Sequence, residues 1–180
     1  MLKRFIGKTV FKLNGWTYDN KPELWSNKQV VIGFPHTTNM DAVRSVALFY
    51  ALNIETSTLI KKELFFWPLS IVLRGIGALE IDRETSKNIV QTMINEFQQR
   101  PAFTLVLAPE GTRGKNQAQQ PIRTGFWHIA KGANVPIVLM RSDNQQQRGR
   151  FLAKIQPTEL QSDLLLIQKL YQEVGVHIVI

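Results

Sequence analysis

The sequence predicts an α/β domain with a largely parallel, mixed sheet flanked by helices. Two observations lead there. Short runs rich in β-branched and aromatic residues alternate with longer segments of helical periodicity along most of the chain, the pattern of strands joined by crossover helices. The length of 180 residues, with no internal repeat and no linker, suits one domain with its own core. A hydrophobic fraction of 44% beside a charged fraction of 20% is that of a globular chain rather than a disordered one.

Residues 1–14 read as a basic amphipathic helix preceding the domain proper, residues 15–180. Leu2, Phe5, Ile6, Val10 and Leu13 recur at helical spacing, and Lys3, Arg4, Lys8 and Lys12 fall mostly on the other side. Two readings stand open: an interfacial helix with its apolar stripe in a lipid boundary, or a helix packed on the domain with a solvated basic face. Strands are expected at Gln29–Phe34, Ser57–Ile60, Ala78–Ile81, Phe103–Leu107, Val135–Met140 and Phe151–Ile155. Helices are expected at Met40–Leu52, Glu63–Arg74, Glu84–Gln99, Thr124–Lys131 and Gln161–Val174. Gln145-Gln146-Gln147, between Arg141 and Arg150, reads as a polar loop between strands.

Composition narrows the chemistry. The chain has no cysteine, which removes disulfides, thiolate metal ligands and a cysteine nucleophile, and suits a reducing compartment. A formal charge of +8 favours an anionic partner: nucleic acid, acidic lipid or a phosphorylated substrate. The basic N-terminus lacks the apolar stretch and cleavage site of a secretory signal. Leu64–Leu73, the longest uncharged apolar stretch, falls well short of the roughly 20 residues a spanning helix needs. The expectation is a cytoplasmic protein that lies on the inner face of a membrane without crossing it.

Two segments carry candidate chemistry. The strand Gln29–Phe34 runs into Pro35-His36-Thr37-Thr38-Asn39-Met40-Asp41, at the carboxyl edge where open α/β sheets gather their sites. On one continuous helix His36 and Asp41 would face apart by about 140°. With His36 in the loop and Asp41 in the first helical turn, the carboxylate reaches back to one imidazole nitrogen, fixing its tautomer and stabilising the imidazolium. A histidine and an aspartate at this spacing also recur by chance. The second segment, Ala108-Pro109-Glu110-Gly111-Thr112-Arg113-Gly114-Lys115, packs an acid, two glycines and two cations after the strand Phe103–Leu107. Freed amides and a guanidinium make an anion site there; the plainer reading is a turn with an exposed salt bridge.

Taken together, these blocks resemble the glycerolipid acyltransferase family, whose members acylate glycerol-3-phosphate and lysophosphatidic acid. His36 and Asp41 match its histidine and aspartate separated by four residues. Gly77-Ala78-Leu79-Glu80-Ile81-Asp82-Arg83 matches its second block, which ends a strand in an arginine. Pro109-Glu110-Gly111-Thr112-Arg113 matches the third letter for letter, and Val135-Pro136-Ile137-Val138 matches the fourth. Gly15-Trp16, Lys61-Lys62-Glu63-Leu64-Phe65 and Thr124-Gly125-Phe126 are also similar to the family. Pro35, Leu139 and Arg123 depart from its common residues. The Pro-His-Thr-Thr-Asn-Met-Asp form looks like a compact bacterial subgroup whose acceptors vary.

The resemblance implies a glycerol-3-phosphate acyltransferase-like fold and a peripheral enzyme of phospholipid biosynthesis. A fatty acyl group would pass from coenzyme A or acyl carrier protein to a lipid hydroxyl, with 1-acyl-sn-glycerol-3-phosphate the leading acceptor and a non-glycerophosphate acceptor the alternative. It implies His36 as base and Asp41 as its orienting partner. Arg83 and Arg113 would hold the acceptor phosphate, with Glu110, Gly111 and Thr112 shaping the acceptor site. No cofactor and no metal are implied. Phe65, Phe66 and Trp67 would line an acyl channel or touch the membrane, or else pack as plain core. A nucleic-acid module using Lys3, Arg4, Lys8 and Lys12 lacks interleaved aromatics. A metal hydrolase using His36, Asp41 and Glu110 lacks clustered ligands; His128, on the helix after the second segment, and His177, on a C-terminal strand, read as structural.

Overall fold

The computed structural model of the chain describes residues 2–34, 39–81, 89–110 and 121–180. Helix α1 (Leu2–Leu13) leads through Gly15 to the two-residue strand β1 (Thr17–Tyr18). Then follow β2 (Lys28–Phe34), α2 (Asn39–Leu52), β3 (Ser57–Lys61), α3 (Leu69–Gly75) and β4 (Ala78–Ile81). The second half holds α4 (Ile89–Gln99), β5 (Phe103–Leu107), α5 (Gly125–Ala133), β6 (Ile137–Asp143), β7 (Arg148–Ile155) and α6 (Leu160–Gln172). The strands make one sheet in the order β1-β7-β6-β2-β5-β3-β4. All neighbours pair in parallel except β6 and β7, which form a hairpin closed by an Asx turn in which Asp143 accepts from the amides of Gln145 and Gln146. The α/β class and the largely parallel sheet are therefore as the sequence predicts.

Period-two alternation sends side chains of the central strands into two cores. Val30, Ile32, Phe34, Ile137 and Leu139 meet α4, α5 and α6 on one face. Val31, Val138, Met140 and Phe151 meet Phe11 of α1, Trp16 just before β1, and Ala47, Leu48 and Phe49 of α2 on the other. Both faces being covered explains why β2 and β6 read as nearly continuous apolar runs.

Helix α6 is set by its own cap and by one buried carboxylate. The Glu159 side chain accepts from the amides of Gln161 and Ser162, and these bonds hold its carboxyl below the ordinary value of 4.5. Asp163, buried, accepts from Trp127 Nε1 at 2.8 Å, Thr158 N at 2.7 Å and Thr158 Oγ1 at 3.0 Å, locking α6 to α5.

Several expectations change at their edges. The sequence reading has no strand at Thr17–Tyr18. The expected helix Glu63–Arg74 is a single 3-10 turn at Lys62–Leu64 followed by α3 from Leu69, because Pro68 has no amide to give a helix interior. Residues 84–88 of the expected helix Glu84–Gln99 lie outside the described residues. The expected C-terminal strand at His177 is a single bridge between Pro121 and Val179. His128 and His177, read as structural, are both exposed.

The amphipathic pattern of α1 resolves into a different inward face. Phe11 and Gly7, about 40° apart around the axis, pack inward, and Val10 is half-buried beside them. Leu2 (73% exposed), Phe5, Ile6 and Leu13 (81%) point away from the domain. So α1 does pack on α2, but with its apolar stripe outward. Gly7 permits the contact: a Cβ there would collide with the Ala47 carbonyl and the Ala51 amide.

Candidate active site

The strands that lead into the candidate residues finish on one edge of the sheet. Registers place Val31 of β2, Val106 of β5, Thr58 of β3 and Ala78 of β4 side by side, and all four strands leave that row in the same direction. His36 follows the end of β2 at Phe34, and Glu110 follows the end of β5 at Leu107. Lys62 follows the end of β3 at Lys61, and Arg83 follows the end of β4 at Ile81. Neighbouring strands lie about 4.8 Å apart, so the ends of β2 and β5 are one spacing apart and those of β2 and β4 about 14 Å.

His36, Arg83, Gly111, Thr112 and Arg113 themselves lie outside the described residues. Helix α2 starts at Asn39, so the backbone of Asp41 occupies its first turn; the Asp41 side chain also lies outside the described residues. An acid in a first turn sits at the favourable end of the helix dipole. Glu110 is half-buried and Pro109 beside it is buried. The chain on either side of residues 111–120 is tied together, since Arg123 N donates to the Pro109 carbonyl at 2.9 Å. On the far side, Ile122 N donates to the Val179 carbonyl at 2.9 Å.

Phe66 and Trp67 (80% exposed) face solvent, and Phe65 is half-buried. Helix α3 after them buries no residue at all. This segment is therefore not core, which removes the plainest of its three readings. Its end meets α2 and α1 around Tyr50, whose hydroxyl donates to the Gly75 carbonyl at 3.4 Å while the Lys3 ammonium stands 5.5 Å over the ring. The exposed apolar side chains of α1 and α3 thus belong to segments joined through one residue of α2.

Two residues that sequence reading left aside also reach this edge. Arg141 of β6 lies opposite Phe34 in the register, pairs with Asp143 at 3.1 Å and donates to the Val174 carbonyl. Tyr171 of α6, fully buried, donates its hydroxyl to the carbonyls of Ile32 at 3.1 Å and Met140 at 2.9 Å. Its ring meets Phe34 edge-on at 4.9 Å. Burial pushes its phenol well above the ordinary value of 10.0, and the negative charge of Glu110 adds to that shift. In sequence Tyr171 is one more residue on the stripe Leu164, Ile167, Tyr171, so no local signal separates it from core.

Comparison with known proteins gives this edge a context. The chain is 27% identical over 139 residues to 1-acyl-sn-glycerol-3-phosphate acyltransferase of Salmonella typhimurium, covering 75% of this chain and 53% of that protein. With the Escherichia coli protein of the same name it is 31% identical over 107 residues, covering 57% of this chain and 42% of that protein. The chain thus spans about half the length of the curated relatives it matches. The crystal structure of the 1-acyl-sn-glycerophosphate acyltransferase PlsC from Thermotoga maritima superposes with a TM-score of 0.67. That match covers 96% of this chain and 75% of the other at 15% identity, a likeness of fold. The acyltransferase family model matches residues 16–142, from Trp16 through the ends of β2, β4 and β5 and into β6. This is well over half of the sequence, and the chain belongs to the acyltransferase family.

Proposed function

We propose that the protein transfers a fatty acyl group from an acyl thioester, on coenzyme A or acyl carrier protein, to the free hydroxyl of a glycerolipid, with 1-acyl-sn-glycerol-3-phosphate as acceptor. The observation that carries this reading is the convergence of strands β2, β5 and β4 on one edge, each leading into a separate block of the family pattern. His36 takes the proton of the acceptor hydroxyl as its oxygen attacks the thioester carbonyl carbon. The carbon–sulfur bond then breaks, and the imidazolium returns the proton to the departing thiolate. Asp41 orients the ring and stabilises its cation. Arg83 and Arg113 hold the acceptor phosphate, while Glu110, Gly111 and Thr112 shape the loop around it.

The same reading places the protein on the cytoplasmic face of an anionic membrane. No helix among the described residues is long and apolar enough to cross a bilayer. The outward stripe of α1 with its cations, and the exposed Phe66 and Trp67, support adsorption instead. The test is mass spectrometry of lipids formed by the purified protein with acyl-coenzyme A or acyl carrier protein and a panel of acceptors. The expected product is diacylglycerol phosphate, absent with His36→Ala. Acylation confined to acceptors without phosphate would reject the glycerophosphate assignment.

A further inference from the structure

The residues matched by the family end at 142, yet the chain beyond them returns to the candidate site. From α6, Tyr171 reaches the carbonyls of Ile32 and Met140, one on β2 and one on β6. These carbonyls lie within the last three rungs of the β2–β6 ladder, where Ile32 pairs with Leu139, Gly33 with Met140 and Phe34 with Arg141. A phenol has one proton to donate, so the hydroxyl is shared between the two strands and ties their ends together. The edge-on contact with Phe34 fixes the same strand end from the side-chain direction. Arg141 fastens the other way, from β6 to the Val174 carbonyl just past α6. The next residues after Phe34 are Pro35 and His36.

We propose that Tyr171 is a positioning residue for His36: its hydroxyl fixes the end of β2 from which the base is suspended. The inference rests on His36 being the base of the proposed reaction. The physical ground is that a base displaced by about 1 Å from its productive position can cost 10²-fold in rate, while substrate binding is untouched. A tyrosine that merely filled the core would contribute through its ring alone, and phenylalanine would replace it at no catalytic cost.

The test is Tyr171→Phe, which keeps the ring, the burial and the contact with Phe34 and removes the oxygen. Circular dichroism first sets a temperature at which both proteins are fully folded. At that temperature kcat is expected to fall roughly ten- to a hundred-fold, with KM for donor and acceptor each within about two-fold of wild type. A kcat unchanged in the active enzyme overturns the proposal, as does a loss that appears only in KM. A second measurement does not depend on the acceptor. The chain has three histidines, so the imidazole NMR signals of His36 can be assigned by substitution. In Tyr171→Phe the His36 signals should shift or broaden while those of His128, exposed on α5, hold still. If the wild-type protein acylates no glycerolipid, the proposed function fails alone and the NMR signals still decide: movement at His36 supports the positioning role, and stillness overturns it.

Discussion

At the scale of single residues, the proposed chemistry asks for one base and one partner that fixes it. His36→Ala should reduce transfer to the uncatalysed background, because the base is gone, while circular dichroism and the thermal midpoint stay near wild type. Asp41→Asn should lower kcat by a similar order with little change in KM, since the amide keeps the shape but cannot stabilise the imidazolium. Normal turnover in either folded variant would end the mechanism. For Arg83→Ala and Arg113→Ala the expected change lies in acceptor binding. A charged hydrogen bond contributes about 1.5–3 kcal/mol, so each loss should raise the acceptor KM roughly ten- to a hundred-fold and leave the donor KM alone. The reverse pattern would assign the arginines to the phosphates of the donor. The blocks that hold these candidates stand out in the sequence because each follows or ends an expected strand with residue types that have few uses in packing. Tyr171 does not, because a buried tyrosine on a helix stripe announces a core position whether or not its hydroxyl has a task.

At the scale of elements, strands were read more securely than helices. The runs in β2, β5 and β6 are apolar and bounded by turn residues, and two buried faces leave no other conformation that hides them. Strand β1 has two residues, too few to show any period. The aromatic segment before α3 left core packing open because apolar residues at helical spacing usually mark a buried face, whereas here Phe66 and Trp67 are exposed. In α1 the inward face is Gly7 and Phe11, a small residue and a single aromatic, and periodicity alone picked the outward stripe instead. Gly7→Leu tests that docking. Its side chain would meet the backbone of α2 at Ala47, Tyr50 and Ala51, and forced repacking of this kind costs about 1–3 kcal/mol. The expected outcome is a lower thermal midpoint together with reduced turnover, since α2 also carries Asp41 in its first turn. A variant as stable as wild type would mean that α1 is not held by this contact.

At the scale of the whole molecule, charge and exposed apolar surface point the same way. A chain of net charge +8 that leaves Leu2, Phe5, Ile6 and Leu13 uncovered on one helix, with Arg4, Lys8 and Lys12 along its flank, has the two attractions an anionic bilayer offers. They differ in their response to salt. Each cation near an anionic surface contributes about 1 kcal/mol, and that part fades as the screening length shortens. Burying the apolar side chains adds a further few kcal/mol that salt does not weaken. Co-sedimentation should therefore show binding to vesicles containing anionic lipid, weaker binding to neutral vesicles, and partial retention at high salt. Replacing Leu2, Phe5 and Leu13 together by glutamine removes the salt-resistant part and leaves Gly7 and Phe11 to hold α1 in place. That variant should bind only at low salt, and it should lose activity toward a bilayer acceptor while keeping activity toward a monomeric, water-soluble one. If it still sediments at high salt as well as wild type, the apolar contact belongs to Phe66 and Trp67, and substituting those two should abolish it.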